Sequence, residues 1–248
     1  TYCAIPLIRG DNVSVEMEAL IKEAKRLAQR GVKELVLIAQ DTTKYGLDLY
    51  GRLALLDLLK QLNEIEELHW IRILYMYPDE ISEELIQGMA QLSKILPYFD
   101  IPLQHANDHM LALMNRRGTM QQVHTLIDQI RTYHKQPTLR TTFIVGFPQE
   151  TRADFDDLLT FVREIKWDRM GAFTYSPEED TVAYEFNGAV DEAVKQERLD
   201  ELMRLQKEIS FANLKAMIGT TIEVLVEGQD GLSGRYRGRG IANAPDGV

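Results

Sequence analysis

Apolar positions follow two alternating periods along the first 217 residues. Short apolar runs that suit buried strands lie at 34–39, 70–76, 98–103, 140–147 and 170–176. Helical patterns separate them at 14–30, 53–63, 82–94, 107–115, 119–133, 151–166 and 191–217. Strands that are each separated by helix predict parallel pairing through right-handed crossovers, so the pattern predicts an α/β fold.

Several helix ends carry sequence signals of their own. Ser14 and Ser82 are predicted N-caps, and Thr151 with Asp154 forms a capping-box pattern. Gly31 is predicted to end the first long helix. These signals predict helix boundaries independently of the apolar period.

Polar or small residues occur where the predicted strands end. They are Gln40, Asp41, Thr42, Gln104, Gly146, Tyr175 and Ser176. In α/β barrels the carboxyl ends of the strands carry the active-site loops, which favours a barrel, or part of one, over an open sheet. Each residue taken singly could equally serve in a turn or cap.

The character of the chain changes after residue 217. TIEVLVEG at 221–228 has the period of two that is typical of a strand, and RYRGRG at 235–240 is short and glycine-rich. We therefore predict two domains, a partial barrel over 1–217 and the beginning of a small all-β domain over 218–248. The second domain has too few predicted strands to close.

Composition narrows the function classes. No apolar stretch reaches the roughly 20 residues that span a bilayer, and a single cysteine cannot form an internal disulfide. These features predict a cytoplasmic protein with no membrane partner. The net charge of −10 disfavours nucleic acid as a partner and favours a basic protein.

Cys3 is the lone cysteine, and a lone cysteine usually acts as a small hydrophobe. Its surroundings, TYCAIPLIRG with an apolar strand-like segment after the thiol, resemble the end of the C-x3-C-x2-C loop of radical S-adenosylmethionine (SAM) enzymes. Further segments resemble the methylthiotransferase branch of that superfamily, in order: AQDTTKYG, RILYMYP, IPLQHANDHMLALMNR, TTFIVGFPQET and GAFTYSPEEDTVAY. The last segment of the chain is similar to a TRAM domain.

The resemblance implies a fold and two cofactors. The fold is a partial TIM-like (β/α) barrel followed by a small OB-like TRAM domain. The cofactors are SAM and a [4Fe–4S] cluster, with Cys3 as the third cysteine ligand and the second expected immediately before Thr1. Relatives of this branch hold a second cluster on three further cysteines, so we expect the chain alone to be inactive.

The resemblance also implies a substrate. AQDTTKYG and the ending RGIANAPDG resemble the class that modifies an aspartate β-carbon of ribosomal protein S12, with a flavodoxin or ferredoxin as reductant. The acidic balance agrees with a basic protein substrate. Two alternatives remain: a methylthiotransferase that acts on a tRNA adenosine, and a module that binds a ribosomal component without chemistry.

Family motifs imply the SAM-binding residues. Gln104 and Arg116 match a pair that holds SAM, and an arginine suits a carboxylate because its planar fork gives two parallel hydrogen bonds. Arg116 could instead be a solvated arginine at a helix end, and Arg117 could be the ligand. Further candidates match the adenine strand and the mouth of the site: Ile144, Val145, Gly146, Gln40 and Asp41. Ordinary strand and turn roles would also explain them.

Two other groups carry weaker signals. His105 and His109 have a spacing that suits a metal on one helix face, but no third ligand accompanies them, so no zinc site is predicted. Arg235, Arg237 and Arg239 alternate along a strand and could bind nucleic acid. We predict that they form a solvated face, because neighbouring acidic residues dilute their charge.

Overall fold

The computed structural model describes residues 2–231 and 233–245. The helices are α1 (Ile5–Arg9), α2 (Met17–Gln29), α3 (Leu47–Tyr50), α4 (Leu55–Asn63), α5 (Glu83–Gln91), α6 (Asp108–Leu113), α7 (Met120–Tyr133), α8 (Arg152–Ile165) and α9 (Glu192–Ala216). The strands are β1 (Glu34–Leu37), β2 (Trp70–Ile73), β3 (Tyr98–Asp100), β4 (Thr138–Val145), β5 (Arg169–Thr174), β6 (Val224–Gln229) and β7 (Tyr236–Gly240). Within the described ranges, no helix is long and apolar enough to cross a membrane.

Strands β1 to β5 run parallel, as predicted. β1 pairs with β2, and β3, β4 and β5 form a second sheet in that order. Backbone bonds join the two sheets, since Leu96 N donates to Ile71 O at 2.9 Å and Met76 N to Asp100 O at 2.8 Å. The carboxyl ends of all five strands therefore lie along one rim.

The two faces of the strands differ in burial. On β4, Leu139, Phe143 and Val145 are buried in the main core beneath the helices. Ile144, on the opposite face, is only partly buried and packs in a smaller cluster with Phe147 and Tyr175. The outer face therefore anchors the helices, and the inner face is left for a site.

Predicted caps form at two helices, α5 and α8, and the structure adds a third cap at α7. Ser82 accepts the Leu85 N–H at 3.1 Å at the start of α5. Reciprocal capping boxes begin α7, at Thr119, and α8, at Thr151 with Asp154. The predicted capping box of α8 is thus confirmed.

Two expectations near the start of the chain are wrong. The segment after Cys3 is the helix α1 and not a strand, with proline in its first turn, where the missing N–H costs no hydrogen bond. Ser14 does not cap α2, which begins at Met17. The Ser14 hydroxyl instead accepts the Gly46 N–H at 3.0 Å and so fixes the loop after β1.

Strands β6 and β7 form an antiparallel pair whose register shifts between Val226 and Gly228. Leu225 of this pair, with Ile241 after it, packs on Trp70 and Leu74 of the parallel sheet. The hairpin therefore lies against the inner face of β2. The domain boundary at 217 stays a prediction.

The predicted solvated face of arginines is wrong at Arg239. Arg235 and Arg237 are exposed, but only 13% of the Arg239 side chain is accessible. Arg239 Nη2 lies 2.5 Å from Glu34 Oε2, and Glu34 Oε1 accepts from buried Arg72 at 2.7 Å. The register of the hairpin places Arg239 over the amino end of β1, and a sequence period cannot show that placement.

Replacing Arg239 with methionine should lower the free energy of unfolding by about 3 kcal/mol, because the buried Glu34 carboxylate loses one of its two cationic partners. Urea unfolding measures the change. The matched control is Arg237→Met on the same strand, which should stay within about 0.5 kcal/mol of the parent chain. Equal losses in both variants would contradict a structural role for the Glu34–Arg239 pair.

Candidate cofactor site

Gln104 lies just beyond β3 in a strained backbone conformation. Its φ is 76°, the left-handed region that non-glycine residues seldom occupy. Its N–H donates to Thr142 O at 2.9 Å, and its carbonyl accepts from Ile144 N at 2.8 Å. These two bonds to β4 hold the Gln104 backbone at the rim.

Arg116 lies beside Gln104. The Gln104 amide donates to Pro102 O at 3.3 Å, and Arg116 Nη2 donates to the same carbonyl at 3.2 Å. Arg116 Nε and Nη1 are buried and have no hydrogen-bond partner within residues 2–231 and 233–245. Arg117 is exposed and lines a separate cavity of about 430 Å³ beside Asp79.

Two tyrosines flank the Arg116 guanidinium. Its central carbon lies 4.4 Å from the ring centroid of Tyr77 and 5.9 Å from that of Tyr2. Burial raises the pKa of Tyr2 to about 12, although the Arg116 charge opposes this rise. The Tyr2 ring also packs edge-on against Phe147 at 6.3 Å. Cys3, whose thiol is exposed, follows Tyr2 directly in the chain and therefore lies near the rim.

The three candidate residues at the end of β4, Ile144, Val145 and Gly146, make different contacts. Ile144 faces inward and packs in the same cluster as Tyr2. The Val145 side chain faces the main core, and its carbonyl accepts from Tyr175 N at 2.8 Å. Gly146 has a φ of 72°, and a Cβ built on it would lie 2.2 Å from Lys195 Cγ. Packing against α9 therefore requires glycine at this position.

Gln40, Asp41 and Thr42 follow β1 at the same rim. Asp41 caps a short 3-10 helix, accepts the Thr43 N–H at 3.1 Å and lies 3.2 Å from Lys44 Nζ. Gln40 is exposed. Asp41 thus makes the local turn contacts that were its alternative role.

Sequence reasoning missed the residues behind this rim. Glu150 Oε2 accepts the N–H groups of Gly146 and Phe147 at 2.6 and 3.3 Å, and Oε1 accepts from Arg198 Nη1 at 2.8 Å. Burial raises the pKa of Glu150, and Arg198 opposes the rise. Glu150 lies within the quoted segment TTFIVGFPQET, but its partner on α9 is 48 residues away along the chain.

His105 and His109 do not share a site. His105 is fully buried, and burial lowers its pKa to about 4, whereas His109 is exposed and its Nδ1 lies 3.8 Å from Asp154 Oδ1. In the described part of the chain, no group of three or more His, Cys, Asp or Glu side chains could hold a metal ion.

Comparison with known proteins identifies the family. The family described as the radical SAM superfamily matches residues 1–162. The chain belongs to the radical SAM superfamily. This membership confirms the resemblance read from the motifs.

Curated relatives place the chain more finely. It is 47% identical to "Ribosomal protein uS12 methylthiotransferase RimO" of Caldanaerobacter subterraneus subsp. tengcongensis over 99% of this chain and 56% of that protein. The protein of the same name from Clostridioides difficile is 52% identical over 92% of this chain and 52% of its own length. The chain therefore spans about half the length of the curated relatives it matches.

A solved structure confirms the fold class. Coproporphyrinogen III oxidase (HemN) from Escherichia coli, a radical SAM enzyme, aligns with a TM-score of 0.59 at 19% identity, covering 78% of this chain and 45% of that one. At this identity the similarity shows the fold alone.

The superfamily's cofactors fit the rim to different degrees. The buried, unpaired nitrogens of Arg116 suit a carboxylate such as that of SAM. A [4Fe–4S] cluster takes cysteine thiolates, and the chain contributes one, Cys3. The 248 residues therefore contain one thiol, Cys3, and buried guanidinium nitrogens that suit a carboxylate.

The buried His105 should make stability depend on pH. Its pKa is about 4 in the fold against 6.5 unfolded, so the unfolded chain binds more protons between these values. Stability is complete above about pH 6.5 and should fall by on the order of 3 kcal/mol towards pH 4. His134, whose pKa burial also lowers, adds in the same direction.

Urea unfolding between about pH 4 and 7 tests this dependence. His105→Gln should flatten the pH profile, because the titrating ring is gone. His109→Gln, an exposed control on the next helix, should keep the parent profile. A His105→Gln profile as steep as the parent's would contradict the assignment.

Proposed function

We propose that the chain is the radical domain of a methylthiotransferase that inserts a methylthio group at the β-carbon of an aspartate in ribosomal protein uS12. The observation that carries the proposal is 47% identity, over 99% of the chain, to a protein named for that activity. The arrangement of Cys3, Arg116 and Gln104 around one rim supports it.

Each rim residue has a role in this proposal. Arg116 binds the carboxylate of SAM through its unpaired nitrogens, and Gln104 positions Arg116 through the shared Pro102 carbonyl. Ile144 packs against the adenine from the inner face of β4, next to the backbone of Val145 and Gly146. Gln40 and Asp41 lie at the mouth, and Cys3 as thiolate ligates one iron.

The reduced cluster supplies, when bound, the electron that cleaves SAM to a radical able to take hydrogen from an unactivated carbon. The protein positions the reactants and excludes water. The aromatic side chains of Tyr2, Phe147 and Tyr175 pack together beside Arg116 and suit that exclusion.

Partners follow from charge and chemistry. The net charge of −10 suits a basic ribosomal protein. A flavodoxin or ferredoxin would reduce the cluster, and the reaction would take place in the cytoplasm, where ribosomal proteins are modified. In this proposal a second cluster, outside these residues, delivers the sulfur, so the chain by itself is inactive. The segment 218–248 begins a TRAM domain.

Arg116→Lys should weaken SAM binding by at least about tenfold, because lysine cannot make two parallel bonds to a carboxylate. Equilibrium dialysis of labelled SAM with the purified chain measures the affinity without turnover. Arg117→Lys is the matched control and should bind like the parent. A loss confined to Arg117→Lys would assign the carboxylate to Arg117 instead.

Cys3→Ala should abolish modification of uS12. The gene carrying this chain in its natural context, expressed in cells that lack their own uS12 methylthiotransferase, should restore the methylthio mass increment on uS12, and the variant should not. Mass spectrometry of uS12 and of digested tRNA reads the outcome. A methylthio group found on tRNA adenosine and absent from uS12 would overturn the substrate assignment.

A further inference from the structure

Helix α9 lies outside residues 1–162, the part that matches the superfamily, yet it contacts the end of β4 directly. Arg198 of α9 reaches Glu150 with one nitrogen, Nη1, which donates to the carboxylate at 2.8 Å and to the backbone carbonyl at 3.1 Å. Both side chains are nearly inaccessible to solvent, at 8% for Arg198 and 0% for Glu150. A buried pair of this kind holds its geometry well and is costly to break.

The other oxygen of Glu150 defines the turn after β4. It accepts the N–H groups of both Gly146 and Phe147, so one carboxylate oxygen satisfies two successive backbone donors. Lys195, one helical turn before Arg198, fills the space where Gly146 lacks a Cβ. Its Nζ donates to Tyr175 O at 3.1 Å, which ties α9 to the end of β5 as well.

This turn connects directly to the cofactor rim. Ile144, two residues before Gly146, bonds Gln104, and the Phe147 ring packs against Tyr2. A shift of the turn would therefore displace the end of β4 at Ile144 and the rings of Phe147 and Tyr2 beside Arg116.

We propose that Arg198 is a positioning residue for the cofactor site: through Glu150 it fixes the Gly146–Phe147 turn in the conformation that receives the adenosine half of SAM. The inference rests on the proposed function, because it takes the rim to be the SAM site. Under this proposal, a residue of α9, which lies outside the matched residues 1–162, helps to position the cofactor.

The charges around Glu150 make the proposal testable by pH. Arg198 faces it from α9, and the His105 ring, between β3 and α6, lies 3.8 Å away and is neutral above about pH 4. Asp154 on α8 lies near that histidine, and the Lys195 ammonium is bonded to Glu192. Arg198 is thus the cation that opposes the rise that burial causes in the pKa of Glu150.

The experiment measures binding of S-adenosylhomocysteine, an unreactive analogue of SAM, to the full chain by calorimetry between about pH 6 and 8. Without Arg198 the pKa of Glu150 rises further, so Arg198→Met should weaken binding about tenfold and make it depend on pH, with tighter binding at higher pH. Arg198→Lys should restore most of the affinity. The double variant Arg198→Met/Glu150→Gln should lose the added pH dependence, because no titrating carboxyl remains.

Arg204→Met is the control, an exposed arginine on the same helix, and should bind like the parent at every pH. Amide hydrogen exchange without ligand gives a second readout. Arg198→Met should lose protection at Gly146 and Phe147 more than at the core strand β2.

The outcomes separate the two proposals. If the parent chain does not bind the analogue, the cofactor site and this inference both fail. If the parent binds and Arg198→Met binds equally well at every pH, with unchanged protection at Gly146 and Phe147, the positioning role alone is overturned.

Discussion

The alternation of side chains along β4 is the constraint on which the rest of the molecule depends. Its outer residues Leu139, Phe143 and Val145 are buried under the helices, which fixes the strand in one register. Ile144 must then face inward. Because β4 lies between β3 and β5, the same register aligns Gln104 on one side and Tyr175 on the other at the rim.

Two largely solvent-excluded ion pairs join later segments to this sheet. At the amino ends of the strands, Arg239 pairs with Glu34 across 205 residues of sequence. At the carboxyl ends, Arg198 pairs with Glu150 across 48 residues. Ion pairs without solvent tolerate little misalignment, since an unpaired buried charge is costly. Each pair therefore favours a single position on the sheet, for α9 in one case and for the β6–β7 hairpin in the other.

The candidate cofactor site combines rigid and unsatisfied parts. Backbone bonds to β4 hold Gln104, and two aromatic rings flank Arg116, yet two nitrogens of Arg116 have no partner in the described ranges. Leaving charged donors unpaired costs stability, and such costs are typical of sites that await an anionic group. These contacts distinguish Arg116 from its neighbour in sequence, Arg117, whose side chain is exposed.

The sequence by itself determined the alternation of strands and helices, the capping box of α8 and the motifs of the family. These are local signals, because a strand period or a cap depends on residues a few positions apart. The apolar run after Cys3 and the serine at position 14 misled at the start of the chain, where Ile5–Arg9 is a helix and Ser14 bonds a distant loop. Only the tertiary structure decided that Glu150 pairs with Arg198, Arg239 with Glu34, and Gly146 with Lys195. The two residues of each of these pairs lie 48 or more positions apart along the chain, and only packing determines which distant side chain fills a buried space or neutralises a buried charge.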